Sequence, residues 1–456
     1  MKNFRARSIL LFLLILAFLT GTVFFVYELA VNSENWALKP YNEHLGANSL
    51  SDAGKILDRN SIILAQSINS RRVYNEDEKL RKAVFHLVGD EDFNISTSIQ
   101  NSLRAKLFGY NFLTGLDVPW FFKKTNDIAL TVDSVLCKFA IEKMQNYKGA
   151  LCIYNYKTGE ILCVVSTPTL DILNVPLDVK TNKDYDGVYL NKAISGTYAP
   201  GSVFKIITAT SAFENFDDAD KIKFTCEGVK KINSEKITCM NNHSQETLKE
   251  AMKDSCNIFF GDLAIKLGKQ KMTKTAELLN FNKQLKIDDF LNTERSVYDV
   301  SKASEAQLGW SGIGQANNTV NPVHLMTICG SIANDGLAIM PKILKDTTNL
   351  SLKQNLNLQN KNTQRYMSSE TANKLKDIMF YTVEQTYISN YFENLKICAK
   401  TGTAEVGDGK KPHAWTTGFI DDETNPLAFT IIVENSGFGG RISAPIIGEI
   451  LKKAVE

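Results

Sequence analysis

The feature that most constrains this chain is an apolar run close to its N-terminus. The run extends almost unbroken from Ile9 to Tyr27 and follows three cations, Lys2, Arg5 and Arg7. A helix of about 20 apolar residues spans the hydrocarbon core of a membrane, whereas the core of a signal peptide usually has about 7–15. The run therefore predicts a membrane helix that divides the chain into two unequal parts.

The charges on either side of the run predict its orientation. Positive residues precede it, and Glu28 and Glu34 follow it. Because cytoplasmic flanks are enriched in Lys and Arg, we expect residues 1–7 to form a cytoplasmic tail, 8–28 a transmembrane anchor and the rest an extracytoplasmic part. A cleaved signal peptide is the alternative, although no small-x-small cleavage site stands out after the run.

The remaining sequence has the composition of ordinary globular domains. The 456-residue chain is 44% hydrophobic and 22% charged, and its formal net charge is +2. This composition excludes disorder, collagen and coiled coils, and it gives no field that would attract nucleic acid. The function must therefore be found in local motifs.

Eight cysteines in an exported chain raise the question of disulfides. Cys226 and Cys239, which flank a short polar stretch, are the pair to consider. The cysteines within apolar runs are interpreted as small buried hydrophobic residues, and these are Cys137, Cys152, Cys163, Cys329 and Cys398. No Cys/His spacing resembles a zinc site, so no metal and no cofactor is expected.

Beyond about residue 125, short apolar runs predict strands and helical spacing predicts helices. The predicted strands are 128–132, 149–153, 160–166, 396–403, 415–420 and 428–434. The predicted helices are 134–144, 202–212, 370–383 and one that begins near 444. A polar insert at 347–364 is expected to be a surface excursion. Strands at both ends with helices between them indicate an α/β (α+β) domain whose sheet joins distant parts of the chain.

One tetrad carries the sharpest chemical signal. Ser202 and Lys205 lie at the start of a predicted helix and share one face of it. A serine needs an adjacent base to act as a nucleophile, and a lysine can be that base when burial or a nearby cation lowers its pKa. The helix N-terminus adds N–H groups where an oxyanion would form. Taken alone, the pattern also fits a capping serine followed by a surface lysine.

A second motif lies about fifty residues further on. Ser255 and Asn257 precede an apolar run, and there the serine could relay a proton while the amide holds a substrate backbone. A helix cap is the alternative. The same S-x-N spacing occurs at Ser33 to Asn35 and at Ser67 to Asn69, so this motif is weak by itself.

A third motif ends a strand-like stretch near the C-terminus. Lys400 would add a second cation, the hydroxyls of Thr401 and Thr403 could bind a carboxylate, and Gly402 would let the backbone approach a ligand. The triplet also occurs at 157–159, between two predicted strands, and there we interpret it as a hairpin turn.

Together, S-x-x-K, S-x-N and K-T-G in this order resemble the motif set of penicillin-binding proteins and serine β-lactamases. The lead-in at 196–202 and the segments 130–133, 157–168 and 312–322 are similar to those proteins as well. Asp58-Arg59-Asn60, followed by Leu64-Ala65, resembles the start of the non-catalytic module in class B penicillin-binding proteins. In this chain Ser61 stands where that family usually has glycine.

The resemblance covers the chain from about residue 50 to the C-terminus and implies its architecture. A small elongated pedestal domain is expected over 29–125. A penicillin-binding protein/serine β-lactamase-like transpeptidase domain, with a central antiparallel sheet flanked by helices, is expected over 126–456. The stretch between anchor and catalytic domain is too short for the glycosyltransferase domain of class A proteins.

The resemblance also implies a peptidoglycan D,D-transpeptidase that acts on stem peptides ending in D-Ala-D-Ala and is inhibited covalently by β-lactams. Ser202 would form the acyl intermediate, Lys205 would be its base, and Ser255 would pass the proton. The substrate would be bound by Asn257, Lys400, Thr401, Gly402 and Thr403. The implied partners are the membrane, reached through the N-terminal helix, and a membrane glycan polymerase.

Several alternatives remain at this stage. A D,D-carboxypeptidase would use the same residues with water as the acceptor. A β-lactamase would need a group that speeds deacylation, and no Glu-x-x-Leu-Asn run of the class A kind is present. A β-lactam sensor or a non-catalytic scaffold is the alternative from a different functional class.

Overall fold

The structure is a computed structural model, and it describes residues 2–37, 50–109, 125–233, 235–288, 290–345, 363–407 and 409–456. Most of the polar insert predicted at 347–364, and the part of the predicted pedestal at 38–49 and 110–124, lie outside the described residues.

The described strands are β1 (Ile56–Leu57), β2 (Ile63–Ile68), β3 (Arg71–Tyr74), β4 (Ile128–Ala129), β5 (Gly149–Asn155), β6 (Ile161–Thr167), β7 (Lys223–Cys226), β8 (Val229–Ile232), β9 (Glu235–Thr238), β10 (Ser244–Thr247), β11 (Lys286–Ile287), β12 (Leu291–Asn292), β13 (Leu337–Ile339), β14 (Thr363–Arg365), β15 (Ile397–Ala404), β16 (His413–Ile420) and β17 (Leu427–Val433).

The described α-helices are α1 (Lys2–Ala37), α2 (Glu78–Val88), α3 (Ile99–Ser102), α4 (Arg104–Leu107), α5 (Ser134–Met144), α6 (Lys192–Ser195), α7 (Lys205–Asn215), α8 (Leu248–Asp254), α9 (Asn257–Leu278), α10 (Glu305–Gly312), α11 (Pro322–Ala333), α12 (Ser369–Glu384) and α13 (Ser443–Val455). Short 3-10 helices lie at Leu50–Asp52, Lys183–Tyr185, Gly201–Phe204, Ala219–Lys221 and Tyr387–Tyr391.

Helix α1 has the length and composition of a membrane anchor. Its segment Phe4–Leu29 has a mean hydropathy of 2.9, and none of its most apolar stretch is buried against the rest of the protein. Large apolar side chains such as Phe18 and Val23 are therefore exposed along it. In a membrane these side chains would lie among lipid tails, where their exposure costs nothing.

A five-stranded antiparallel sheet forms the centre of the larger domain, in the order β15-β16-β17-β5-β6. Strand β17 joins the two parts of the chain, because Phe429 lies opposite Ile153 of β5 in one direction and Gly418 of β16 in the other. Every residue of β17 is buried. The prediction of one sheet built from distant segments is confirmed.

Helices cover both faces of this sheet. Successive side chains of a strand point to opposite faces. The Thr416 hydroxyl lies 2.8 Å from the Ser443 hydroxyl of α13, whereas the Thr417 hydroxyl lies 3.2 Å from the Cys329 sulfur of α11. The sheet is therefore the middle layer between α13 and the fully buried helix α11.

The predicted elements agree with the structure except at some ends. The strand expected at 128–132 is regular over β4 alone. The Leu130 N–H still donates to the Leu57 carbonyl of β1 at 2.8 Å, whereas the Thr131 N–H donates to the Ile343 carbonyl at 2.9 Å. The helix expected to begin at Ser202 begins as the 3-10 turn Gly201–Phe204 and becomes α-helical at Lys205.

A buried carboxylate connects the small N-terminal sheet, of order β3-β2-β1-β4, to the larger domain. One oxygen of Asp58 accepts the backbone N–H groups of Asn60 and Ile62, each at 2.8 Å, and so closes a tight turn. The other oxygen accepts the Ser134 hydroxyl of α5 at 2.7 Å. The turn leaves Ser61 with a φ of 66°, a left-handed conformation that explains why glycine is usual at this position.

Replacing Ser61 with glycine should stabilise the protein. A side chain in the left-handed region costs roughly 1–2 kcal/mol, part of which is offset by the greater freedom of glycine in the unfolded chain. We expect Ser61→Gly to raise the free energy of unfolding by about 0.5–1 kcal/mol, measured by thermal or denaturant unfolding in detergent. Ser61→Ala keeps the Cβ atom and should give no such gain; equal gains from both variants would contradict the explanation.

Candidate active site

Ser202 stands where the helical run that leads into α7 meets the edge strand β15. Gly201 has a φ of 56°, and a Cβ atom added to it would lie 2.5 Å from the carbonyl oxygen of Thr403. Only glycine fits so close to the strand backbone. The helix start is therefore pressed against the K-T-G segment, although two hundred residues of sequence separate the two motifs.

The segment before Ser202 is held by contacts from three directions. Tyr198 exchanges two backbone hydrogen bonds with Val320, at 3.1 and 2.8 Å. The Trp415 indole N–H donates to the Ala199 carbonyl at 3.0 Å, and the Gly201 N–H donates to the Gly314 carbonyl at 2.9 Å. These contacts give a structural reason for the resemblance noted in the segment 312–322.

The Lys205 amine is the centre of the site. It lies within hydrogen-bond distance of four oxygen atoms, those of the Ser202 hydroxyl at 3.0 Å, the Ser255 hydroxyl at 3.0 Å, the Ser255 carbonyl at 2.5 Å and the Asn257 side chain at 2.8 Å, and its charged form can donate to three of them at a time. Its side chain is fully buried. The S-x-x-K and S-x-N motifs therefore meet at one nitrogen atom.

Ser255 occupies the short joint between helices α8 and α9. It ends α8 in a left-handed conformation with a φ of 55°, which is uncommon for a residue with a side chain. Lys400 on β15, also buried, donates to the Ser255 hydroxyl at 3.0 Å. The Ser255 hydroxyl thus lies between two lysine amines, and all three predicted motifs converge on it.

The rest of the K-T-G segment forms the other wall of the site. Thr401 and Thr403 are half-buried along β15, so their hydroxyls are reachable from solvent. A Cβ atom on Gly402 would lie 2.9 Å from the side chain of Val203, next to the nucleophile candidate. The glycine therefore lets strand and helix approach each other, a role that the sequence did not predict for it.

A model of the family described as the penicillin binding protein transpeptidase domain matches residues 149–452. That match covers the central sheet, its helices and every residue of the site. This chain belongs to the penicillin-binding protein transpeptidase family.

Related proteins agree with this assignment. The peptidoglycan D,D-transpeptidase PbpA of Mycolicibacterium smegmatis is 27% identical over 381 residues, which are 76% of each chain. The stage V sporulation protein D of Bacillus subtilis is 27% identical over 350 residues, which are 72% of this chain and 53% of that protein.

A solved structure shows the same fold. Penicillin-binding protein A of Mycobacterium tuberculosis, solved as a ceftriaxone acyl-enzyme complex, superposes with a TM-score of 0.75 at 23% identity. The match covers 90% of this chain and all of that one. The expected penicillin-binding protein fold is therefore confirmed.

Burial sets the electrostatics of this penicillin-binding protein site. Desolvation lowers the pKa of Lys205 to about 8, against a smaller opposing effect of the thiols of Cys239 and Cys256 and the carboxyl of Glu246. Desolvation, and then the charge of Lys205, hold the pKa of Lys400 well below its usual range. The site can therefore contain a neutral amine near neutral pH.

The second copies of the short motifs lie elsewhere. Lys157, Thr158 and Gly159 form the turn between β5 and β6, with a φ of 79° at the glycine, which confirms the predicted hairpin turn. Lys157 donates to the Asn334 side chain at 3.0 Å. Ser67 lies in the small N-terminal sheet, where its hydroxyl donates to the Leu50 carbonyl at 2.8 Å.

One group beside the site was not found from the sequence. Cys226 and Cys239, considered there as a disulfide pair, are free thiols in the structure, and His243 and Cys256 lie against them. The other cysteines are buried and free, as predicted. The presence of Cys256 inside the S-x-N motif was a signal that something besides the serine and the asparagine is placed there.

The rate at which a penicillin acylates this protein should rise with pH and level off above about 8. Lys205 must be neutral to accept a proton from Ser202, and burial brings its pKa to about 8. Below that pH the protonated amine cannot act, so the rate should fall by about tenfold per pH unit. The groups that face the amine are Lys400, Cys239, Cys256 and Glu246.

The measurement is the second-order acylation rate with a fluorescent penicillin over about pH 6–10. Lys205→Arg is the control, because a guanidinium stays charged and should give a slow, pH-independent rate. A wild-type profile that stays flat across this range, in protein that remains folded, would exclude Lys205 as the titrating base.

Proposed function

We propose that this chain is a membrane-anchored peptidoglycan D,D-transpeptidase that works through an acyl-serine intermediate on stem peptides ending in D-Ala-D-Ala. The observation that carries the proposal is the buried Lys205 amine, which contacts the hydroxyls of both Ser202 and Ser255 at 3.0 Å. The family of the chain, and the printed names of its relatives as peptidoglycan D,D-transpeptidases, support the same reaction.

In the acylation step, neutral Lys205 takes the proton from the Ser202 hydroxyl. The oxygen attacks the carbonyl carbon of the penultimate D-Ala and forms a tetrahedral oxyanion. The C–N bond to the terminal D-Ala then breaks, and the departing amine receives a proton through Ser255, whose hydroxyl is within reach of Lys205. The proton that left Ser202 is thereby returned to the leaving group.

Backbone groups stabilise the oxyanion in this scheme. The N–H groups of Ser202 and Thr403 serve as donors, and the tight approach of Gly201 to Thr403 brings the two backbones side by side. Removing one donor of this kind typically costs roughly 3 kcal/mol of transition-state stabilisation.

Polar side chains around the serine bind the substrate. The Asn257 amide already accepts from Lys205 and donates to the Thr238 carbonyl at 3.0 Å, which fixes its orientation and leaves a second N–H for the peptide backbone. Lys400, Thr401 and Thr403 bind the terminal carboxylate through an amine and two hydroxyls.

In the second step, an amine from a neighbouring stem peptide attacks the acyl-serine and loses its proton to the same relay. A new amide forms, Ser202 is released, and two strands are cross-linked. If water attacks instead, the product is a trimmed peptide, which is the carboxypeptidase alternative. A β-lactam acylates Ser202 by opening its ring, and the leaving nitrogen stays attached.

We place the N-terminus inside the cell, residues 8–28 in the membrane, a pedestal at 29–125 and the transpeptidase domain at 126–456 outside. The cations in the first turns of α1, before its apolar stretch, and the acidic residues after that stretch support this orientation. A membrane glycan polymerase that supplies nascent strands is the proposed partner. Penicillin-binding protein 2 of Helicobacter pylori, solved in complex with MreC, is similar in fold, with a TM-score of 0.72 at 17% identity over 88% of this chain and 97% of that one.

The acylating serine can be identified directly. The full-length chain in detergent is treated with a fluorescent penicillin, and the adduct is located by peptide mass. We expect a stable adduct on Ser202 that is absent in Ser202→Ala. An adduct on another residue, or none in folded wild-type protein, would refute the assignment, and rapid turnover of the drug would indicate a β-lactamase.

Transpeptidation and hydrolysis are separated by their products. Incubation with a stem pentapeptide should release D-Ala, and an added amine acceptor should appear in the peptide product. Release of D-Ala without any incorporation of the amine would assign the chain as a carboxypeptidase.

Lys400→Ala should slow acylation by roughly 10- to 100-fold, the value of one or two hydrogen bonds to a charged carboxylate of the ligand. The chain offers a matched control in Lys157→Ala, which removes the lysine of the second K-T-G triplet. That variant should acylate like the wild type. Equal effects of the two substitutions, in variants with unchanged melting temperatures, would contradict a role for Lys400 in the site.

A further inference from the structure

Four metal-binding side chains meet beside the proposed active site. Cys226 ends β7, Cys239 follows β9, His243 precedes β10 and Cys256 caps α9. Their ligand atoms all lie within 4.8 Å of one another. One of the four residues ends a strand, two lie in the loop between β9 and β10, and one precedes a helix, so the cluster is a product of tertiary folding.

Two of the distances within the cluster match those of a tetrahedral metal site. The Nδ1 atom of His243 lies 3.6 Å from the Cys226 sulfur and 3.5 Å from the Cys239 sulfur. Bond lengths of about 2.3 Å to sulfur and 2.0–2.1 Å to nitrogen place tetrahedral ligand atoms about 3.5–3.8 Å apart. Three thiolates and one imidazole are the ligand set of structural zinc sites.

Two of the sulfurs already accept backbone hydrogen bonds. Cys239 accepts the N–H of Asn257 at 3.4 Å, and Cys256 accepts the N–H of Phe259 at 3.4 Å. Such N–H contacts orient thiolate ligands around a metal.

A buried carboxyl group lies beside the cluster. Glu246 is buried, and within the part of the chain that the structure describes, neither of its oxygens has a hydrogen-bond partner. One of them lies 3.8 Å from Nδ1 of His243. The carboxyl group of Glu246 therefore lies against the cluster, beside the His243 imidazole.

The strands around the cluster gain little stability from burial of their own side chains. Strands β7 and β10 form one two-stranded ribbon, and β8 and β9 form another. Most of their residues are exposed or half-buried, so they bury little apolar surface of their own. Isolated two-stranded ribbons are at best marginally stable in water, and small elements of this kind are commonly held by a metal.

We propose that Cys226, Cys239, His243 and Cys256 bind a structural Zn²⁺ that fixes this double ribbon onto the S-x-N motif. Four protein ligands leave no open position for a reacting group, so the metal positions residues and takes no part in the chemistry. Cys256 lies between Ser255 and Asn257 in the chain. The metal therefore holds the joint on which the left-handed Ser255 and the Asn257 amide depend.

The first test measures metal directly. Full-length protein purified in detergent under reducing conditions is analysed for metal content, and its zinc is then replaced with cobalt. We expect one zinc per chain, and cobalt protein with the thiolate-to-cobalt charge-transfer and intense d–d absorption of a tetrahedral site. Wild-type protein that holds no zinc and gives no such cobalt spectrum, or a mapped Cys226–Cys239 disulfide, would overturn the proposal.

Substitutions distinguish the loss of a metal ligand from a general destabilisation of the protein. His243→Gln should lose the metal, whereas His243→Cys supplies a fourth thiolate and should retain it. Cys329→Ser is the control for loss of a buried thiol elsewhere, because its Thr417 partner can bond equally well to a hydroxyl. Equal zinc content in His243→Gln and wild type would also overturn the site.

The effect of the metal on the position of the S-x-N motif rests on the proposed function, and it is measured separately as a rate of acylation. His243→Gln should slow acylation by a fluorescent penicillin at least about tenfold, and His243→Cys should restore most of the rate. If zinc is bound but both variants acylate at the wild-type rate, the metal is present without positioning the motif. If zinc is bound and no variant, including wild type, is acylated, the failure lies in the proposed function.

Discussion

The whole site depends on one buried amine. Lys205 is fully enclosed, and its four hydrogen-bond acceptors come from its own helical run and from the joint between α8 and α9. An amine without water must find acceptors in the protein, and its charged form is disfavoured there. The same burial that demands these contacts also lowers the pKa of Lys205 to about 8, as the proposed role of Lys205 as a base requires.

The central sheet supplies the rigid reference for this arrangement. Strand β15 lies at the edge of the sheet, so it pairs with β16 on one side and packs against the helix start at Ser202 on the other. Gly201 and Gly402 allow the backbones of strand and helix to come into close contact. A side chain at either position would push the nucleophile away from the donors and hydroxyls of the K-T-G segment. Close packing between strand and helix therefore determines the geometry of the reaction more than any single side-chain contact does.

The double ribbon of β7 to β10 has the opposite character. It has little core of its own, yet it carries Thr238, whose carbonyl accepts from the Asn257 amide, and Cys239, whose sulfur accepts the backbone N–H of the same residue. The position of Asn257 in the S-x-N motif thus depends on a peripheral segment that buries too little apolar surface to be held in place by burial alone. The proposed metal, bound by the thiols and the imidazole at that point, would supply the stability that burial does not.

The sequence by itself determined the long apolar N-terminal helix, the five strands of the central sheet, helices α5, α7, α12 and α13, and the three motifs, because each is a local pattern of hydrophobicity or spacing. The sequence also distinguished the K-T-G triplet at 400–402 from the copy at 157–159, because the copy lies between two predicted strands. The sequence did not determine that the amines of Lys205 and Lys400 both contact the Ser255 hydroxyl. Segments up to two hundred residues apart make those contacts, and only tertiary packing brings them together.

The cysteines show the same division most clearly. Along the chain, Cys226 and Cys239 look like a pair, while His243 and Cys256 follow at spacings that match no familiar zinc motif. Folding of the two ribbons against α9 puts all four ligand atoms within 4.8 Å of one another. Local pattern shows which residues can bind a metal, but the path of the backbone decides which of them meet, because ligand distance is set by the fold and not by sequence separation.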